Sequence, residues 1–99
     1  MNEITDTIKK HTEMEKLHAH LCLADIPHDI TLCWGTPQIW YPSAEDPVCD
    51  VICHAGSYGY EEGLLEIMGL VDEDHGDDVE GYLTAREVLR RILNHYLSE

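Results

Sequence analysis

The chain has 99 residues, 20 of them Asp or Glu and only 6 Lys or Arg, for a formal net charge of −14. That length supports one hydrophobic core, so residues 1–99 read as a single small acidic domain, and a hydrophobic content of 43% separates it from disordered acidic tails. Such a negative surface opposes contact with the nucleic-acid backbone or with anionic lipid, and it complements a basic partner.

The first segment places Ile4, Ile8, His11, Met14, Leu17 and Leu21 three or four residues apart, the stripe of an amphipathic helix that Pro27 ends. In HDITLCWGTPQIWYP, Ile30, Leu32 and Trp34 alternate with Thr31 and Cys33, and Ile39 and Tyr41 alternate with Gln38 and Trp40. The break at Gly35-Thr36-Pro37 reads as a hairpin turn. A third strand, VCDVICH, sets Cys49, Val51 and Cys53 on one face and Asp50, Ile52 and His54 on the other. The predicted covered face of the sheet is Ile30, Leu32, Trp34, Ile39, Tyr41, Cys49, Val51 and Cys53.

Ser57 and Gly59 then lead into EEGLLEIM, read as a short helix capped by Ser57 and stopped at Gly69. VDEDHGDDVEGYL reads as a polar connection, and Thr84-Ala85-Arg86-Glu87 has the pattern of a capping box opening a last helix. The expected fold class is α+β: an N-terminal helix, a three-stranded antiparallel sheet, a short helix and a C-terminal helix in a compact layer.

The charge is segregated along the chain. Residues 1–16 hold Lys9, Lys10 and Lys16 against Glu3, Asp6, Glu13 and Glu15, and residues 86–99 hold Arg86, Arg90 and Arg91 against Glu87 and Glu99. Removing those six acids from 20 leaves 14 in residues 17–85, a stretch with no Lys or Arg. The N-terminus MNEITDTIKK lacks an apolar signal region and LLEIMGLV is too short to span a bilayer, so a soluble cytoplasmic protein with no membrane contact is expected. Cys22, Cys33, Cys49 and Cys53 are then expected to be reduced and mostly buried.

Four kinds of chemistry are tested by spacing. Zinc could draw on Cys49, Cys53 and His54, with His18, His20 and Cys22 elsewhere. However, residues four apart on a strand lie roughly 13 Å apart, too far to share one ion. No metal or cofactor is expected, and folding is expected to proceed without one. HAGSYGYEEG leads toward a helix start but presents Glu61 and Glu62 where a phosphate loop would bring Lys or Arg. DEDHGDD lacks the EF-hand pattern, since counted from Asp72 the glycine is fifth and the twelfth residue is Leu83. Asp50 and His54 share a strand face, but at roughly 13 Å they are too far apart for a catalytic pair. Alternation also puts Trp40 on the outer face beside Gln38, where with Thr31, Ile52, His54 and Tyr58 it forms a contact patch of the kind found at binding hot spots, unless the last helix or a second subunit covers it.

The stretches LLEIMGLVDEDHGDDVEGYLTAREVLRRI and IWYPSAEDPVCDVICHAGSYGYEEG resemble a group of short uncharacterised phage and prophage proteins of Gram-positive bacteria. The likeness covers about residues 27–92, with Arg86 standing where such proteins carry Glu, and with Cys33 and Cys53 outside their pattern. It implies a phage origin and, with no catalytic motif in view, a non-enzymatic protein that binds a host component. The expected role is inhibition of a basic, nucleic-acid-binding host or defence protein, in the manner of DNA-mimicking anti-CRISPR proteins. The expected contact residues are Asp72, Glu73, Asp74, Asp77, Asp78 and Glu80, with Glu61, Glu62, Trp40, His54 and Tyr58. Two alternatives stand beside it. One is a binder of a nucleotide signal that uses Trp40, Tyr58 and the Gly56–Gly59 backbone, and the other is a structural or regulatory homodimer.

Overall fold

A computed structural model describes residues 12–72 and 74–98 of the chain. Helix α1, Thr12–Leu23, turns Met14, Leu17 and Leu21 inward, all fully buried. Ile4, Ile8 and His11 of the same predicted stripe lie outside the described residues. The helix closes through Ala24 N–H to His20 O (3.0 Å) and Ile26 N–H to Leu21 O (3.0 Å), with Asp25 in the left-handed region at φ 57°. Buried Ile26 fixes the direction in which the chain leaves.

The sheet has five strands, not three. They are β1 (Asp29–Cys33), β2 (Thr36–Tyr41), β3 (Cys49–Ile52), β4 (Leu65–Met68) and β5 (Val79–Leu83), in the spatial order β1-β2-β3-β4-β5 with every pair antiparallel. The β1–β2 hairpin turns on Trp34 and Gly35, both at positive φ (54° and 79°), so Thr36 and Pro37 belong to β2 rather than to the turn. This placement corrects the predicted face. Trp34 is 90% exposed at the hairpin tip, and Leu32, opposite Pro37 at the sheet corner, is 39% exposed. Ile39, Tyr41, Cys49, Val51 and Cys53 are buried as the alternation requires.

The predicted helix at EEGLLEIM is instead a single 3-10 turn, Tyr60–Glu62, followed by β4. Gly63 and Gly69 both take positive φ (72° and 84°) and bracket only five residues, little more than one helical turn. Leu65 and Ile67 are fully buried while Glu66 and Met68 point away, the two-residue period of a strand. A side chain at Gly69 would collide with the Val48 carbonyl, so the sharp turn out of β4 requires glycine. The predicted polar connection likewise divides into an acidic loop and strand β5.

Helix α2, Ala85–Ser98, opens with the predicted box: Thr84 Oγ1 accepts Glu87 N–H (3.2 Å) and Glu87 Oε1 accepts Thr84 N–H (3.2 Å). Another amide without an intrahelical acceptor at this helix start is taken by a distant group, because Ala85 N–H donates to Glu13 of α1 at 2.8 Å. That bond holds Glu13 below the usual carboxylate range, with the charge of Lys16 helping and burial opposing. Val88 and Ile92 of α2 join the α1 stripe and the inner face of the sheet in one core. Among the described residues the architecture is thus two helices over one face of an antiparallel meander.

Burial of Cys49 among these groups, with the Asp50 charge beside it, pushes its thiol up to about 12, and burial raises Cys53 in the same direction. Alkylation at pH 8 followed by mass spectrometry should therefore modify exposed Cys22 first, Cys33 next, and Cys49 and Cys53 only on unfolding. Rapid native labelling of Cys49 would contradict this register.

Candidate functional site

After β3 the chain turns back on itself through Ser57. Its amide (2.8 Å) and its hydroxyl (2.8 Å) both donate to His54 O, and its Oγ accepts His54 N–H (3.0 Å). Ser57 closes this turn instead of capping a helix. Tyr58 follows, its amide donating to Glu66 Oε1 (2.9 Å) and its carbonyl accepting Tyr82 N–H (3.3 Å). Tyr58 stands directly on Gly81 of β5, where any side chain would occupy its space. The loop therefore lies against the edge strand.

This contact builds the candidate site. Tyr58 and Tyr82 are 61% and 58% exposed, and both line two adjoining hollows. One, of about 440 Å³, is walled by residues 55–62, including Glu61 and Glu62; the other, of about 540 Å³, is walled by His75, Asp77, Val79 and Glu80. Neither hollow contains a Lys or Arg. Four of the predicted acids, Glu61, Glu62, Asp77 and Glu80, thus line hollows beside a pair of tyrosines, although Tyr82 and His75 were not foreseen. Tyr82 lies in VEGYL, where no alternation marks a strand.

The acids are not equivalent. Asp72, Asp74, Asp77 and Asp78 are exposed, and Glu73 lies outside the described residues. Glu80 faces the helices instead, where Arg91 grips it bidentately at 2.7 and 2.9 Å and also reaches Leu70 O at 3.3 Å. Asp72 joins this pair, 3.3 Å from Arg91, and its amide donates to Glu80 Oε1 (3.2 Å). Glu80 is therefore a supporting group rather than a contact residue. His75 secures the loop by donating from Nε2 to Val79 O (2.7 Å).

Trp40 and His54 stand apart from this corner. Trp40 is half-buried on the sheet face away from the described helices, with its indole N–H donating to Thr31 Oγ1 (2.8 Å), and the turn residue Trp34 is the exposed tryptophan instead. His54 stacks on Trp34, with ring centroids 6.4 Å apart and planes inclined by 22°. Asp50 accepts from Gln38 (2.9 Å) and His54 donates to Ala55 O (2.9 Å), so the two are engaged separately. Burial raises the Asp50 carboxyl, with the Gln38 bond opposing. The amides of Ser57, Tyr58 and Tyr60 already have protein acceptors, which leaves that stretch poorly suited to hold phosphate.

Comparison with protein-family models, with curated proteins and with solved structures gives no match in any of the three. The site is therefore read from its own chemistry.

The guanidinium hydrogen bonds of Arg91 hold Glu80 down at about 2 against the opposing effect of burial, assisted by Asp72 N–H and by the positive charges of Arg91 and His75. A depressed carboxylate stabilises the fold fully above its ordinary value near 4.5, and that stability is lost as pH falls toward 2. Denaturant melts should show Glu80→Gln less stable than the parent by roughly 2 kcal/mol at pH 6, with the gap closing below about pH 3. A gap that stays constant with pH would refute this role for the pair.

Proposed function

We propose that the protein is a phage-encoded, non-enzymatic binding protein that occupies a basic, nucleic-acid-binding surface on a host or defence protein. The observation that carries this reading is the Tyr58–Tyr82 pair flanked by carboxylates on both sides, in a molecule whose described cations are confined to the helices. Lys16 is on α1 and Arg86, Arg90 and Arg91 are on α2. Exposed aromatic planes among fixed negative charges offer an Arg-rich surface both ion pairs and cation–π contacts, the two things that bases and phosphates offer it. The charge also accelerates encounter.

A homodimer through the sheet face away from the described helices is less favoured. Trp40, Ile52 and Met68 supply apolar area there, but Asp29 pairs with Trp40, and Asp50 and Glu66 lie two residues from Ile52 and Met68 on the same strands. A second copy would set carboxylates against carboxylates, a costly arrangement unless cations intervene. A nucleotide binder using Trp40 and Tyr58 is less favoured because Trp40 lines neither hollow that Tyr58 lines, and neither hollow holds a Lys or Arg.

The test uses an arginine-rich peptide as a model partner. The full chain should bind it with a steep salt dependence, and duplex DNA should displace the protein from the peptide. Changing Glu61, Glu62, Asp74, Asp77 and Asp78 together to their amides, which leaves Glu80 and Arg91 intact, should weaken binding at least tenfold and flatten the salt dependence. Tyr58→Ala should weaken it by about 1 kcal/mol. Unchanged affinity and salt slope in the five-site variant would reject the acidic-mimic reading.

A further inference from the structure

His18 and Cys22 lie four residues apart on α1, one turn of the same helix face. The turn at Asp25 and Ile26 brings His28 back over them, so the three side chains present one nitrogen, one sulfur and one nitrogen within 4.8 Å of one another. His18 Nδ1 is 3.2 Å from His28 Nε2, and Cys22 Sγ is 3.8 Å from His18 Nδ1 and 3.9 Å from His28 Nε2. Zinc bonds of about 2.0–2.1 Å to nitrogen and about 2.3 Å to sulfur, set tetrahedrally, require ligand edges of about 3.3 Å between nitrogens and about 3.6 Å between nitrogen and sulfur. The three edges in the structure match that triangle to within a few tenths of an ångström.

A second contact points the same way. His28 Nδ1 is 2.8 Å from Ile26 O, a carbonyl that can only accept, so Nδ1 carries the proton and Nε2 presents its lone pair to the cluster. Metal-binding histidines are commonly oriented by such a bond to a backbone carbonyl. Ile26 is itself anchored in the core, so the carbonyl is held by packing.

We infer that His18, Cys22 and His28 form a zinc site, with Nδ1 of His18, the Cys22 thiolate and Nε2 of His28 as three protein ligands. Thiolate with imidazole selects a zinc-class ion over magnesium or calcium, which take oxygen. The described residues supply three donors, which leaves one position of a tetrahedral ion for water or for a donor from outside them. Zinc here ties the end of α1 to the start of β1 and quenches an exposed thiol. The three ligands escaped the spacing argument because His28 is separated from Cys22 by a turn whose direction depends on burial of Ile26.

Cobalt(II) and zinc titrations of the full chain test the assignment. Cobalt should bind one per chain with thiolate charge-transfer absorption and tetrahedral ligand-field bands, and zinc should displace it. Zinc at a hundredfold excess over its Kd should raise the melting temperature by on the order of 10 °C, reversed by a chelator, and should slow alkylation of Cys22 without affecting Cys33. Cys22→Ser and His28→Gln should each lower zinc affinity about 100-fold or more, since even changes to outer-shell partners cost up to about that much. His20→Ala, an exposed histidine on the same helix, should change nothing. Cys22 and His20 are exposed and His28 is half-buried, so circular dichroism of each variant checks folding before zinc affinities are compared. Octahedral cobalt without thiolate absorption, unslowed alkylation of Cys22, or equal losses for His20→Ala and His28→Gln would overturn the site.

Discussion

The clasp of Arg91 on Glu80 governs where the outer half of this molecule sits. Strand β5 is an edge strand with Gly81 at its centre, a residue that weakens strands by having no side chain to pack. Its pairing to β4 is interrupted by a register shift between Leu65 and Ile67. Backbone pairing alone therefore gives β5 a weak hold. The guanidinium of buried Arg91 supplies the rest by joining α2 to Glu80 on the strand, to Leu70 O after β4 and to Asp72 at the loop entrance. A buried bidentate pair contributes little net stability compared with an apolar contact of equal size, but it fixes a geometry. The geometry fixed here is the tyrosine corner.

The same clasp explains how a surface so acidic is tolerated. Fourteen carboxylates lie in residues 17–85 without a Lys or Arg among them, so self-repulsion works against the compact state. The core lies between the helices and the inner sheet face, while Asp74, Asp77 and Asp78 are spread over an exposed loop where water screens them. Only where a carboxylate is drawn inward, at Glu80, is a cation buried with it. Glu13 reaches a comparable end by capping α2, so Glu13 and Glu80 both tie α2 to the rest of the fold.

How much of this was legible in the sequence depends on how local each determinant is. Alternation over Ile39 to Cys53 gave the correct inner face, and the Thr84–Glu87 box gave the start of α2, because both signals lie within a few residues. LLEIM failed because an apolar run of that length fits a strand or a helix turn equally, and the left-handed glycines at each end decided the matter. VEGYL failed because its strand state depends on pairing with β4 and on Arg91, eleven residues from Glu80. Among the acids, sequence could not separate Glu80 from Asp77 or Asp78; only the approach of α2 does so.

Strand order places the two candidate sites on opposite sides of the molecule. His28 directly precedes β1 at one edge of the sheet, and Tyr82 lies on β5 at the other, with three strands between them. Their physical demands are also opposed. A zinc-class ion needs neutral imidazole and thiolate held rigidly by a helix and an anchored turn, whereas the acidic corner needs exposed charge on a loop able to meet an irregular basic surface. Sites so separated, with no shared partner, contribute independently unless a two-state element links them. The inner face of the sheet is a continuous packed core rather than such an element. On the two proposals, zinc would act on the stability of the α1–β1 edge, and recognition of a basic partner would belong to the β5 edge.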